Sequence, residues 1–553
     1  MPPPKNETAQ ADTAGQLDAV VVGAGFAGLY LLHRLRGMGL SARIYEAASG
    51  VGGTWFWNRY PGARCDVESV QYSYQFSEEL QQEWEWTERY SGQPEILRYL
   101  EHVTDRFDLR RDIEFNTRVQ SAVYDEASSR WQIETQGEGE GEGEGERQAL
   151  SAKYFVMATG CLSSANTPGF EGLDDFAGNT YHTGRWPHHE VDFSGRRVCV
   201  IGTGSSAVQS IPIIAEQASE LHIFQRTPNY SIPARNGPLD PDEVRALKAR
   251  YAEFRAEARA EGFGIVNPFP LPPDHDPEYV PSAEELEAML ERNWEYGGLT
   301  FLNGAPGLVV LPELNELAAE FVRKKIRAVV DNPEIAELLC PRTPVGCKRL
   351  CIDTHYFETY NQPHVHLVDI SGSPIEKITP AGVQVGGQEY PCDDLVLATG
   401  FDAMTGALFG VDIRGRDGLA LNEKWAEGPR TYLGLATRGF PNLFIVTGPG
   451  SPSVLSNMVQ SIEQHVEWIA DCVGYMEQEG LERIEAEATA EEKWGAQVNE
   501  IADETIFPSC NSWYLGANIP GKPRVFMPFL GFADYAAICD EIVADAYRGF
   551  ELT

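Results

Sequence analysis

Two stretches of the chain repeat one pattern: a short apolar run, a glycine-rich turn, a segment with helically spaced apolar positions, and a second apolar run. The first is DAVVV ending at Val22, then GAGFAG with Gly23, Gly25 and Gly28, then LYLLHRLRGMG, then SARIYE ending at Glu46. The second is RVCVI, then GTGSSA with Gly202, Thr203, Gly204, Ser205 and Ser206, then VQSIPIIAEQA, then ELHIFQ followed by Arg226 and Thr227. Unbroken apolar runs of this length predict strands buried on both faces, and each stretch predicts a strand–turn–helix–strand unit.

Elsewhere the pattern changes character. Residues 137–146 alternate Gly and Glu and cannot bury a face, which predicts a solvated hairpin tip. From about residue 240 to 340 strand patterns fade, and segments such as NELAAEFVRKKIRAVV show helical spacing with charged faces. Strand character returns in HVHLVDI and DDLVLATGFDA. The predicted fold class is α/β, with two Rossmann-like dinucleotide-binding units, the second nested in the first, and a helical insertion. The expected boundaries place residues 1–160 and 393–553 in the first unit, 161–236 and 343–392 in the second, and 237–342 in the insertion.

Composition narrows the partners. The net charge of −38 opposes binding to nucleic-acid phosphates or anionic lipid, so an anionic ligand must be held by local cations. No apolar run reaches the ~18 residues of a membrane span, and the opening stretch lacks a signal-peptide core. We therefore expect a cytoplasmic protein, a monomer or weak oligomer, with no nucleic-acid or membrane partner. The 10 cysteines contain no CxxC and no zinc spacing, so reduced, mostly buried thiols and no metal site are expected.

Chemistry enters at the two turns. A lone GxGxxG is weak evidence, but the strand before it, the helix after it and Glu46 at the expected distance all fit a dinucleotide site. Gly23 allows the tight turn, Gly25 lets a pyrophosphate approach the backbone, and Gly28 lets helix and strand pack. Glu46 is placed to accept hydrogen bonds from a ribose, as for FAD. At the second site Arg226 and Thr227 replace that acid, which favours a 2′-phosphate and hence NADPH. Two such sites imply a flavoprotein oxidoreductase. A disulfide reductase needs a cysteine pair beside the flavin, and the segment after Glu46 offers only Cys65.

The run from Phe176 and Gly178 through His182 to Trp186 and Pro187 fits FxGxxxHxxxWP, and GGTWFWNRYPGARCD spans residues 52–66 without a gap. In these two motifs the chain resembles the type I Baeyer–Villiger monooxygenases, and looks most like the phenylacetone and steroid branch. It departs from the pattern in the Gly-Glu run and in Ala207, which takes the place of a third glycine. The resemblance implies NADPH- and O2-dependent conversion of a ketone, aryl, cyclic or steroid-like, to an ester or lactone, through a flavin C4a-peroxide and a Criegee-type intermediate. The resemblance also allows sulfoxidation at the same site.

Residue by residue, the resemblance implies that Thr54, Trp55, Phe56, Trp57, Asp66, Tyr72, Val119 and Met458 line FAD. Arg64 and Asp66 face the nicotinamide side, Lys348 holds the 2′-phosphate, Arg349 sits over the flavin, and Trp513 contacts the nicotinamide cofactor. Ser453, Val454 and Leu455 match a loop near the substrate. Arg349 is the expected catalytic cation and Asp66 its orienting partner. For that pair the architectural ion pair remains a second reading, as a core aromatic does for Trp57, and His182 reads as a structural tether rather than a base. Two other functions stay open at this point: an N- or S-oxygenating flavin monooxygenase, and a non-catalytic NADPH- and FAD-binding redox sensor.

Overall fold

The computed structural model describes residues 15–138, 144–272 and 279–553. Its first sheet has the order Asp412–Arg414, Thr117–Asp125, Arg130–Glu138, Glu144–Met157, Gln16–Val22, Ala42–Tyr45 and Ile113–Glu114, and Leu443–Ile445 also pairs with Glu144–Met157. The Gln16–Val22 strand is parallel to both neighbours and buried along its valines, as a strand covered on both faces must be. The strands Arg130–Glu138 and Glu144–Met157 form an antiparallel hairpin that carries the Gly-Glu run, whose residues 139–143 lie outside the described residues.

The second sheet runs Val365–Asp369, Glu220–Gln225, Arg197–Ile201, Asp394–Leu397 and Asn179–His182, all parallel. A three-stranded antiparallel sheet, Ile375–Thr379, Gly382–Val385 and Gln388–Pro391, shares a hydrophobic cluster with it. The return of Leu443–Ile445 to the first sheet, after the second is complete, is the nesting expected from the sequence. One boundary needs correcting. Asp394–Leu397 pairs with Arg197–Ile201, so the second unit extends past residue 392. The apolar run DDLVL marks a strand without saying which sheet takes it.

Between residues 241 and 339 the described chain is helical: Pro241–Lys248, Tyr251–Ala260, Ala283–Tyr296, Thr300–Asn303, Pro312–Val329 and Pro333–Leu339. Side-chain caps start several of these, with Asp240 on the N–H groups of Asp242 and Glu243 and a reciprocal Ser282–Glu285 capping box. This segment docks on the first unit through buried cations. Arg255 donates to the Gln71 carbonyl and the Ser73 hydroxyl, and Lys248 to the carbonyls of Gln82 and Trp84. No helix among the described residues is long and apolar enough to cross a membrane.

The helix Met458–Glu479 carries a buried acid at the same junction. Glu463 Oε1 accepts N–H bonds from Gln75 (2.6 Å) and Phe76 (3.0 Å), while Oε2 has no partner. Burial pushes its pKa from the ordinary 4.5 up to about 8, against the opposing pull of the two backbone bonds. Because the folded pKa lies above the unfolded one, the stabilising contribution is full below pH 4.5 and is lost as pH rises through 8. Glu463→Gln, which cannot ionise, is expected to have a flatter dependence of melting temperature on pH between those limits. Its gain over wild type should reach a few kcal/mol at most above pH ~8. Parallel curves for the two proteins across that window would show that Glu463 titrates normally.

Candidate active site

Both glycine-rich turns open onto one cleft of about 1530 Å³. Gly23 has φ +105°, and a Cβ there would lie 2.8 Å from the Ala158 carbonyl oxygen, so only glycine makes the turn. A Cβ on Gly28 would collide with the Gly23 carbonyl, which is the close strand–helix packing expected of it, and Gly28 itself does not line the cleft. The helices Phe26–Gly37 and Ser205–Gln217 both begin at glycines, Gly25 and Gly204, without a side-chain cap. Their first-turn N–H groups therefore face the cleft available to an anion.

The ends of the paired second strands differ in charge. Glu46 is buried, with Oε2 accepting from Ala24 N–H (2.6 Å) and Oε1 from Ala48 N–H (2.8 Å). These bonds fix the carboxylate and leave each oxygen a free lone pair for a diol. Burial raises the Glu46 pKa, and the backbone bonds counter it. At the other unit Arg226, Thr227 and Lys348 line the cleft together. Burial lowers the Lys348 pKa, and Arg226 beside it lowers it further. Neither cation has a carboxylate partner among the described residues. Two unneutralised cations held together in so acidic a protein could hold a dianionic phosphate.

Arg349 lies between the units. Its Nε and Nη2 donate to the two oxygens of Asp66, both at 2.8 Å, and Nη1 donates to the Val454 carbonyl at 2.5 Å. Burial alone would weaken its hold on a proton, but the Asp66 carboxylate more than offsets this and keeps the guanidinium charged. About a quarter of each side chain remains exposed to the cleft. The Tyr60 hydroxyl donates to Gln209 Oε1 (2.8 Å), and Gln209 Nε2 donates to the Arg64 carbonyl (3.2 Å). The segment that carries Asp66 is thereby anchored to a helix of the second unit. Gln209 has no motif around it, and sequence reasoning missed it.

Of the other expected residues, Thr54, Trp55, Trp57, Tyr72, Val119 and Met458 line the cleft on the first unit's side. Trp55 Nε1 donates to the Tyr72 hydroxyl at 3.2 Å. Gly202, Thr203, Ser205, Ser206, Arg64 and Trp513 line the second half. Phe56 does not reach the cleft: its ring packs against His188 and under the Arg59 guanidinium. Ser453 and Leu455 are likewise turned away. Ser453 Oγ donates inward to the Thr447 carbonyl and Leu455 joins the core, so Val454 alone of the three lines the cleft. His182 accepts from Gly184 N–H at Nδ1, and its Nε2 meets Asn166 O and Thr399 Oγ1, so it ties its strand to both of those segments.

The cysteines depart from expectation at one place. Cys347 and Cys510 form a disulfide across 163 residues, while the other eight are free and buried. It joins the segment carrying Lys348 and Arg349 to the segment carrying Trp513. No spacing signature reveals such a pair, because the fold and not the local sequence brings the two loops together.

With this geometry in place, comparison with known proteins is decisive. A family model for pyridine nucleotide-disulphide oxidoreductases matches residues 17–250. A Baeyer-Villiger monooxygenase of Pseudooceanicola batsensis is 40% identical over 547 residues, 98% of this chain and 97% of that one. The chain belongs to the Baeyer–Villiger monooxygenase family. A solved steroid monooxygenase bound to NADP superposes with a TM-score of 0.90 at 52% identity, covering 97% of this chain and 99% of that one. A phenazine N-monooxygenase of Lysobacter antibioticus is 41% identical over 544 residues, 97% of each chain. The fold class is that of these relatives, a two-unit dinucleotide-binding α/β protein.

Proposed function

We propose that this protein is an FAD-containing monooxygenase that uses NADPH and O2 to convert ketones to esters or lactones. The observation that carries the reading is Arg349, a permanently charged guanidinium clamped by Asp66 between an acid-ended and a cation-ended nucleotide unit. The 52% identity to a steroid monooxygenase favours a bulky cyclic or aryl ketone as substrate. We also read the protein as cytoplasmic, where NADPH is supplied, and as a monomer or weak oligomer, since its net charge opposes self-association.

The residues fit both cofactors. Gly23, Gly25 and the uncapped helix start would take the FAD pyrophosphate and Glu46 its ribose, with Thr54, Trp55, Asp66, Tyr72, Val119 and Met458 around the remainder. Gly202, Gly204, Ser205 and Ser206 would take the NADPH pyrophosphate, Arg226, Thr227 and Lys348 its 2′-phosphate, and Arg64 and Trp513 its nicotinamide end. Bound FAD supplies the redox chemistry, accepting a hydride from NADPH and activating O2. The chain supplies charge and exclusion of water. Arg349 holds the negative charge that develops on the ketone oxygen, and its charge needs no reorganisation because Asp66 and the Val454 carbonyl have already aimed it. Trp513 and Val454 close the apolar side and keep water from the reacting carbonyl.

A panel of linear, aryl and polycyclic ketones, together with phenazine, tests this with purified protein. Ester or lactone from a ketone supports the proposal. An N-oxide from phenazine with no ester from any ketone would place the protein beside its Lysobacter relative in chemistry, and no NADPH oxidation with any compound would leave the redox-sensor reading.

Two variants separate the roles. Arg349→Ala should still bind FAD and accept hydride from NADPH, because neither step needs charge on the ketone oxygen. Ester formation should fall by about 10²–10³, the usual loss on removing a preorganised charge from the transition state. Stopped-flow flavin absorbance paired with product analysis reads both halves, and near wild-type ester formation would remove Arg349 from catalysis. Arg226→Ala should raise the KM for NADPH by roughly ten- to a hundredfold, for loss of one charge-assisted phosphate contact, and leave the KM for NADH nearly unchanged. Equal effects on the two cofactors would take Arg226 out of the phosphate site.

A further inference from the structure

Away from the cleft, at the edge of the second sheet, three side chains converge without touching. His222 in the strand Glu220–Gln225 is in register with His366 in the edge strand Val365–Asp369. Laterally paired residues of a parallel sheet point to the same face, and so does Glu220, two residues before His222. Glu220 Oε1 lies 3.8 Å from His222 Nε2 and 3.9 Å from His366 Nε2, and the two imidazole centroids are 5.0 Å apart. One ligating atom from each of the three lies within 4.8 Å of the others.

These separations are too long for hydrogen bonds. The His222 side chain is only 12% exposed, its ring lies edge-on beneath Tyr390, and its buried Nδ1 has no partner. The Nε2 atoms of both histidines lie at nearly equal distances from one Glu220 oxygen, an arrangement that a shared metal ion would complete. Tetrahedral coordination at the usual Zn–N and Zn–O lengths puts ligand atoms ~3.3 Å apart, so the three need move inward by only about half an ångström. Arg197, in register with Glu220, does not compete for the carboxylate, because Asp393 holds its guanidinium at 2.6 Å.

We propose that Glu220, His222 and His366 form a binding site for a borderline divalent cation of the Zn2+ class, with water completing the coordination. Two imidazoles and one carboxylate select such an ion over Mg2+ or Ca2+, which take oxygen ligands. The site is remote from the nucleotide cleft: Glu220 opens the strand whose far end leads into Arg226. Its effect is to clip the edge strand Val365–Asp369 to its neighbour, so bound metal stabilises the second unit without entering the reaction.

The test uses tag-free holoenzyme stripped with chelator. Equilibrium dialysis is expected to find one Zn2+ per chain bound with micromolar or tighter affinity, and the melting temperature to rise with Zn2+ but not with Mg2+. His366→Ala, on the exposed side of the cluster, and Glu220→Gln should each weaken that binding at least about tenfold and abolish the thermal shift. Both variants should keep bound flavin and the metal-free rate of NADPH oxidation, which shows them folded. Zinc bound equally well by wild type and both variants, or no zinc bound by wild type, would overturn the proposal.

Discussion

Everything at the cleft depends on a guanidinium that has to be charged, half-dry and immobile at once. Burial works against the charge, so a carboxylate must lie within hydrogen-bond reach, and that carboxylate comes from the other unit of the protein. The Arg349–Asp66 pair therefore forms only when the two units are closed on each other. Several contacts enforce the closure. Gln209 ties the Asp66 segment to a helix of the second unit, the Val454 carbonyl takes the third guanidinium donor, and the Cys347–Cys510 bond holds the arginine's own segment to the C-terminal one. Removing either member of such a pair leaves an uncompensated charge in a poorly solvated place, which is why the arrangement is self-consistent rather than gradual.

The two nucleotide units solve opposite electrostatic problems with one backbone design. Each starts a helix at glycine, uncapped, which leaves its first-turn N–H groups available to a phosphate. What differs is the end of the following strand. Glu46 is pinned by two N–H bonds as a pure acceptor, whereas Arg226 and Lys348 repel each other with no carboxylate paired to either among the described residues. On the proposed reading, a bound dianion relieves that repulsion, which focuses binding energy on the one group that distinguishes NADPH from NADH.

The sequence made the local features legible and left the convergent ones hidden. Strand, turn and helix around Gly23 and Gly202 were readable because each is encoded within a dozen residues, and the helical insertion because its period is unmistakable. Most residues that the resemblance implies for the cofactors line the cleft, whereas Phe56, Ser453 and Leu455 do not. In short helical turns neighbouring side chains point in different directions, and a motif read as a string does not record which one faces in. The edge of the second unit was misjudged at residue 392 because an apolar strand fits either sheet. Gln209, the Cys347–Cys510 bond and the Glu463 junction had no signature, since each is defined by segments 145 or more residues apart.

Charge on this molecule is distributed by function more than by sum. A net charge of −38 would repel both phosphate-bearing cofactors at a distance. The cleft answers with Arg226 and Lys348 unpaired, while most other cations are spent on carboxylates at the surface, such as Arg197 on Asp393 and Arg327 on Glu337. Arg349 is the intermediate case, paired yet with about a quarter of its side chain facing the cleft, as the proposed reaction requires. A guanidinium that were fully neutralised and buried would lend little field to a developing oxyanion, and one left unpaired would bind the cofactor phosphates as readily as it assists the reaction. Partial pairing with Asp66 satisfies both constraints, which is why the carboxylate is as much a part of the site as the cation it holds.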